Sequence, residues 1–369
     1  NISCPILFLS PANDFHGRID DLPSALTEIA SKDWRVTCSP HHNHQDTPPY
    51  EVTTLLWMDQ HLKDSFTFPQ TPKTKLQLKT GNGQPLLSVS PDTSRPILSV
   101  DVFYTQDGKK DGGPLDRENV MSRFWHHAES DQTNNVWTAD LPLANTEKPL
   151  WVYANVVYAL QQPLQGAGYY YQPYQAESYN LSSVLTMVEP NQLKAAGVQK
   201  GLATSAIIED FANDWAKEWF TYRPSDWART TFKIGHQAWQ APLGARLSLD
   251  VQSAQPNRMV ILLDGYAAEV DLAGGPQWQS VDLKPADFKD YHRLPRSDWK
   301  SIRQLKITPA EHLRPPRGVK TAPRRVGRIW KGSPPQFRNL HWKQSHCFLD
   351  FPRATVAEKD YDWTTDHMQ

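Results

Sequence analysis

Apolar and polar positions along the chain follow different rhythms in its first and later parts. Residues 5–10 (Pro-Ile-Leu-Phe-Leu-Ser) are a short continuous apolar run, which predicts a strand buried on both faces of a parallel sheet. A loop follows at Pro11, Ala12 and Asn13, then Asp14. Behind Asp20 and Asp21, Leu22, Leu26, Ile29 and Ala30 repeat at helical spacing. Residues 34–39 (Trp-Arg-Val-Thr-Cys-Ser) predict a second strand, which ends at the polar loop Pro40-His41-His42-Asn43-His44-Gln45-Asp46. After Pro48 and Pro49, the residues Val52, Leu55, Leu56 and Leu62 mark one side of an amphipathic helix over 50–63. Residues 1–65 therefore predict the order strand, helix, strand, helix.

From residue 66 the rhythm changes. Pro69 and Pro72 mark a linker, and strand-like runs at 76–78, 97–104, 136–141 and 150–158 are separated by turn-rich stretches such as 107–114. That pattern predicts an all-β, immunoglobulin-like sandwich over 66–190. A short helical connector over 191–202 and a run from Ile207 open a third unit. Strict alternation at 247–251, 270–272, 281–283 and 302–307, with a continuous apolar strand at 259–263, predicts a jelly roll over 191–312. Residues 313–369 carry prolines at 315, 316, 323, 334 and 335 and read as an extended basic tail that wraps the body through apolar anchors.

A length of 369 residues allows more than one core, and 30 prolines with 14 tryptophans suit sandwiches better than helix bundles. The formal net charge of −1 gives no global field to recruit nucleic acid or an anionic membrane. In the tail, Arg314, Arg317, Arg324, Arg325, Arg328, Lys331 and Lys343 interleave with Trp330, Phe337 and Trp342. A nucleic-acid strip has that look, but the balanced charge and the lack of a nucleic-acid motif argue against one. Three cysteines, Cys4, Cys38 and Cys347, are too few for a disulfide framework, and Cys4 and Cys38 read as small buried hydrophobes. No apolar run approaches the length of a membrane span, and no cofactor is expected.

Candidate chemistry concentrates in the first 65 residues. Reactive groups collect at the carboxyl ends of strands in open α/β sheets. An aspartate lies just past the first strand and a histidine cluster just past the second. The run Phe8-Leu9-Ser10-Pro11-Ala12-Asn13-Asp14-Phe15-His16-Gly17-Arg18-Ile19-Asp20, followed by Ser39-Pro40-His41-His42-Asn43-His44, resembles the bacterial dienelactone-hydrolase and acetylxylan-esterase-like group of α/β-hydrolases. The resemblance covers only residues 1–65 and implies an α/β fragment, the last two β-α units of such a fold, followed by two mainly-β sandwich domains. It also implies that Asp14 is the triad acid and His44 the general base, with His42 and His41 as the other registers. The nucleophile of the family sits in a Gly-x-Ser-x-Gly elbow. That pattern is absent from this sequence. The expectation is an ester hydrolase, with acylated polysaccharide as the candidate substrate, secreted or periplasmic, whose serine lies upstream; the chain alone is expected to be inactive.

Plainer readings compete. Asp14 is also suited to cap a turn. His16, His41, His42 and His44 are also a possible metal set or a solvated loop, although they lack His-x3-His spacing. Tyr169, Tyr170, Tyr171, Tyr174 and Tyr179 form either an aromatic platform for sugars or sheet packing. His126 and His127, beside Trp125, read as structural. The run 257–283 looks like the galactose-binding-like modules of carbohydrate-active enzymes, with Trp215, Trp219, Tyr222, Trp227 and Trp239 as candidate stacking residues. The alternative to an enzyme is accordingly a non-catalytic carbohydrate-binding or interaction protein. Two sequons, at Asn1 and Asn180, complete the inventory.

Overall fold

Two short apolar runs pair first. In the computed structural model, which describes residues 2–44, 48–109, 119–167, 173–223 and 226–344, β1 (Ile6–Leu9) lies parallel to β2 (Trp34–Thr37), with Ile6 opposite Trp34. α1 (Leu22–Glu28) makes the crossover that parallel strands require. α2 (Pro48–Lys63) follows; its prolines sit in the first turn, where the missing N–H has no intrahelical acceptor to lose, and His61 and Lys63 complement the dipole at its far end. The expected stripe of α2 is split. Val52, Leu56 and Trp57 are buried with Thr53, whereas Leu55 and Leu62 face solvent. Trp57 determines this rotation, because its ring packs on Phe68 and His61. β1 is half-buried rather than buried on both faces, since it pairs only with β2 among the described residues. Among the described residues no complete α/β-hydrolase sheet is evident. Cys38 is fully buried, but Cys4 precedes β1 and is exposed, against expectation; Cys347 lies outside the described residues.

The sheets of the remaining described residues are antiparallel. One sheet runs β3 (Lys73–Gln77), β4 (Leu86–Ser90), β8 (Val136–Asp140), β7 (Asp131–Thr133). Its partner runs β10 (Pro173–Ser182), β9 (Leu150–Ala167), β5 (Ile97–Thr105), β6 (His126–Ala128), with β11 (Thr186–Val188) also on β9. Leu87, Val89 and Ala139 from the first sheet meet Val100, Val102, Val152, Ala154 and Val156 from the second in one core. Helix α3 (Pro190–Ala195), shorter than the predicted connector, closes that core with Leu193. β2 packs on this sandwich through polar groups. Asn180 Nδ2 donates to Thr37 Oγ1 (3.2 Å) and Asn155 Nδ2 to the Cys38 carbonyl (2.9 Å), while Cys38 N donates to Ser182 Oγ (2.8 Å). Asn180 is 1% exposed, so the folded protein does not present this sequon.

A third unit has two more sheets around a separate core. One is β12 (Ile207–Glu209), β21 (Gln336–Lys343), β14 (Arg246–Gln252), β17 (Gln279–Leu283); the other is β13 (Arg229–Thr231), β18 (Leu305–Thr308), β15 (Asn257–Leu263), β16 (Tyr266–Leu272). β19 (Ala310–Leu313) and β20 (Arg324–Gly327) form a small ribbon beside them. The stretch read as an extended tail therefore supplies β20 and an inner strand, β21. Leu340 and Trp342, the anticipated kind of apolar anchor, are buried because they alternate into the core as members of that sheet. No described helix is long and apolar enough to cross a membrane.

Candidate functional site

The loops after β1 and β2 are zipped together beyond the strands themselves. Ser10 N donates to the Thr37 carbonyl (3.0 Å), Ala12 N to the Ser39 carbonyl (2.9 Å) and Asn13 N to the His42 carbonyl (2.9 Å). Asn13 is fully buried: its Nδ2 donates to the Arg123 carbonyl (2.9 Å) and its Oδ1 accepts from Trp125 Nε1 (2.9 Å). Arg123, also buried, donates through Nε to the Ala12 carbonyl (3.0 Å), a carbonyl that Nη2 shares. Its Nη1 pairs with Asp20 at 2.9 Å. The Arg123 guanidinium holds the Asp20 carboxyl below the usual carboxylate range although burial opposes it. From the other side, Asn43 N donates to Tyr222 Oη at 2.9 Å. Two later segments thus hold both loops.

Asp14 and His44 meet at the end of this zipper. His44 Nδ1 lies 2.9 Å from Asp14 Oδ2, and Asp14 Oδ1 accepts from His16 N at 2.8 Å. The carboxylate side chain is 7% exposed and the imidazole 61%. With a carboxylate on Nδ1, the neutral ring carries its proton there and keeps Nε2 as a free base. Among the described residues no hydroxyl hydrogen-bonds that nitrogen. His41 and His44 both have left-handed backbones (φ 62° and 51°), a conformation costing a non-glycine residue about 1–2 kcal/mol and held here by the clamps on either side.

The other histidines of the loop have different surroundings. His42 Nδ1 and Nε2 face the Pro40 and Thr221 carbonyls at 2.9 and 3.1 Å; burial lowers its pKa despite those acceptors, and the neutral ring donates its single N–H to one of the two carbonyls. His41 is sandwiched between Phe124 and Phe220 with neither nitrogen hydrogen-bonded, and burial, with His42 beside it, pushes its pKa down to about 3. Of His41, His42 and His44, only His44 places its ring on Asp14. Among the described residues no three His, Cys, Asp or Glu side chains converge to hold a metal.

Behind the loop lies a buried polar seam that sequence reading did not assemble. His126 Nε2 and His236 Nε2 are 3.4 Å apart, and His236 Nδ1 accepts from Ala238 N. His236 must therefore carry its proton on Nε2 and donate it to His126. Burial drives the pKa of His126 well down and that of His236 to about 4. Next to them, Asp101 accepts from His127 (3.1 Å) and Lys217 (2.8 Å), which together pull its carboxyl down to about 2 against burial. The one signal in the sequence was the density of His and Trp between 124 and 127.

The aromatic candidates for sugar stacking face inward. Trp219 and Trp239 are buried in the third core, and Trp215, Tyr222 and Trp227 pack against it. Tyr179 is buried in the sandwich and Tyr174 packs on the same core; Tyr169, Tyr170 and Tyr171 lie outside the described residues. No protein-family model matches the chain, and no curated protein matches it either. The chain is a mainly-β protein of several sheets in which one small parallel unit brings an aspartate and a histidine together.

Proposed function

We propose that this chain supplies the acid and base of a serine carboxylic-ester hydrolase, with Asp14 as the acid and His44 as the general base. The observation that carries the reading is the 2.9 Å hydrogen bond between a buried carboxylate and an exposed imidazole at the carboxyl ends of adjacent parallel strands. In this role His44 Nε2 removes the proton from a serine hydroxyl as it attacks the ester carbonyl, and returns it to the leaving alcohol. Water then attacks the acyl-enzyme with the same assistance, releasing the acid and restoring the serine. Asp14 fixes the Nδ1 tautomer and stabilises the imidazolium.

The serine belongs, in this proposal, to a segment outside the 369 residues. In support, the outer edge of β1 carries no partner among the described residues, and Ile2, Leu9, Leu55, Met58 and Leu62 of the same unit expose apolar surface. The unit is then the last part of an α/β-hydrolase sheet, and the two β units are immunoglobulin-like and galactose-binding-like appendages. The substrate class that suits such appendages is an acylated polysaccharide.

A fluorophosphonate probe and a short-chain aryl ester test the reading on this chain and on a form extended upstream. Labelling and turnover in the extended form alone, with turnover lost in His44→Ala at unchanged thermal stability, are the expected results. Labelling of the 369-residue chain itself would show that the nucleophile lies within it, and silence from both would favour a binding protein.

A further inference from the structure

A cleft of about 800 Å³ opens on the third unit between the start of β15, the end of β16 and the segment that leaves β20. Its charged lining is Arg258, Asp271, Arg325, Arg328 and Lys331, four cations against one carboxylate. Arg258 already grips Asp271 with two parallel bonds, Nε to Oδ1 at 2.6 Å and Nη2 to Oδ2 at 2.8 Å. Arg325, Arg328 and Lys331 are exposed and make no carboxylate contact at ion-pair distance among the described residues, although Arg328 stands in the field of Asp271. A protein of net charge −1 thus concentrates an excess of positive charge in one concave place.

The frame that carries these cations is fixed. Gly327 takes φ +74° where an added Cβ would collide with the Pro309 carbonyl, so only glycine allows the turn out of β20. Gly327 N donates to Glu269 Oε1 (2.9 Å) and Arg328 N to the Pro309 carbonyl (3.0 Å). Three residues on, Lys331 N and its carbonyl both bond the Asn257 side chain at 3.0 Å. The indole among these cations is not offered to a nucleobase: Trp330 packs on Trp227 at 4.8 Å and donates to the Ser333 carbonyl. Cations on a rigid frame without an aromatic platform suit a chain of fixed anions better than single-stranded nucleic acid.

We propose that this cleft binds acidic polysaccharide through the carboxylate groups of the polymer and so anchors the ester substrate on the protein that carries the hydrolase unit. The anchoring role rests on the hydrolase reading; the binding does not. Affinity electrophoresis of the 369-residue chain through polygalacturonate, neutral xylan or oligothymidylate tests it without a catalytic readout. Polygalacturonate should retard the protein, less so as salt screens the contact, and neutral xylan should not. The variant R325Q/R328Q/K331Q should bind about tenfold more weakly with an unchanged thermal midpoint. R314Q/R317Q/K320Q, exposed cations of the same region outside the cleft lining, should bind as the parent does. Equal loss in both triple variants, no retardation by polygalacturonate, or stronger retardation by oligothymidylate would each overturn the proposal. If polygalacturonate binding holds while the extended form stays silent to fluorophosphonate, the cleft stands and the hydrolase reading falls; the reverse pair of results separates them the other way.

Discussion

Lowering the pH from 7.5 to 5 should cost this protein several kcal/mol through imidazoles that cannot be protonated in place. His41 and His236 titrate near 3 and 4 in the fold, driven down chiefly by burial, against about 6.5 in an unfolded chain. Their folded pKa values are depressed, so the unfolded state binds more protons below 6.5. Stability is complete above that value and is lost as pH falls from 6.5 through 4 and then 3. At pH 5 an unfolded imidazole is about 97% protonated, and each ring kept neutral by the fold costs about 2 kcal/mol, about 4 for the two. His126 and His42 shift in the same direction and add to the loss. Carboxylates such as Asp101, held at about 2, begin to contribute only as the pH approaches their unfolded value near 3.9, so among the groups with lowered pKa values the interval from 6.5 to 5 belongs to histidine; Glu209 and Asp264, whose carboxyl pKa values burial raises, act in the opposite sense. Urea unfolding followed by tryptophan fluorescence measures this. His236→Asn keeps an acceptor for Ala238 N and removes the titration, so its loss between pH 7.5 and 5 should be smaller than the parent's by about 2 kcal/mol. A parent midpoint that stays flat across this interval would refute the burial argument.

Arg123→Met should destabilise by about 3–5 kcal/mol, because it strands the Asp20 carboxylate, 3% exposed, without its ion pair. Thermal unfolding checks this, and Asp20→Asn added to the same variant should recover part of the loss; no recovery would mean that the carbonyl contacts to Ala12 dominate. Asn180→Ala should cost about 1–3 kcal/mol by leaving polar groups at the β2 seam unpaired, and a urea midpoint within error of the parent would contradict that. Gly108→Ala drives a methyl into the Trp151 ring and should cost about 1–3 kcal/mol in the same assay; a neutral result would show that the indole can shift.

The sequence located strands where side chains alternate or run apolar, and it placed Asp14 and His44 at the carboxyl ends of the first two. Strand ends and loop chemistry are local properties, so they can be read locally. The clamps are not. Arg123, Trp125 and Tyr222 act on the site across large sequence separations, and nothing in their immediate neighbours shows that they will turn toward Ala12, Asn13 and Asn43. The inward tryptophans were ambiguous for the same reason, since exposure is decided by which sheet covers them. The basic stretch misled as an extended tail because its prolines are real breakers, yet the residues between and beyond them alternate well enough to form β20 and β21. The face of α2 differs from the one its leucines mark, because the helix turns to seat Trp57.

β21 holds the middle of its sheet, with Ile207 of β12 opposite His341 on one side and Leu247 of β14 opposite Trp342 on the other. During synthesis β12 and β14 are made long before it, so each must wait with an unsatisfied edge and an uncovered face until the last described strand emerges. Non-local closure of this kind slows folding, and waiting edges invite pairing with other chains. The third unit therefore folds late and nearly all at once. A chain interrupted anywhere before Gln336 loses the centre of a sheet.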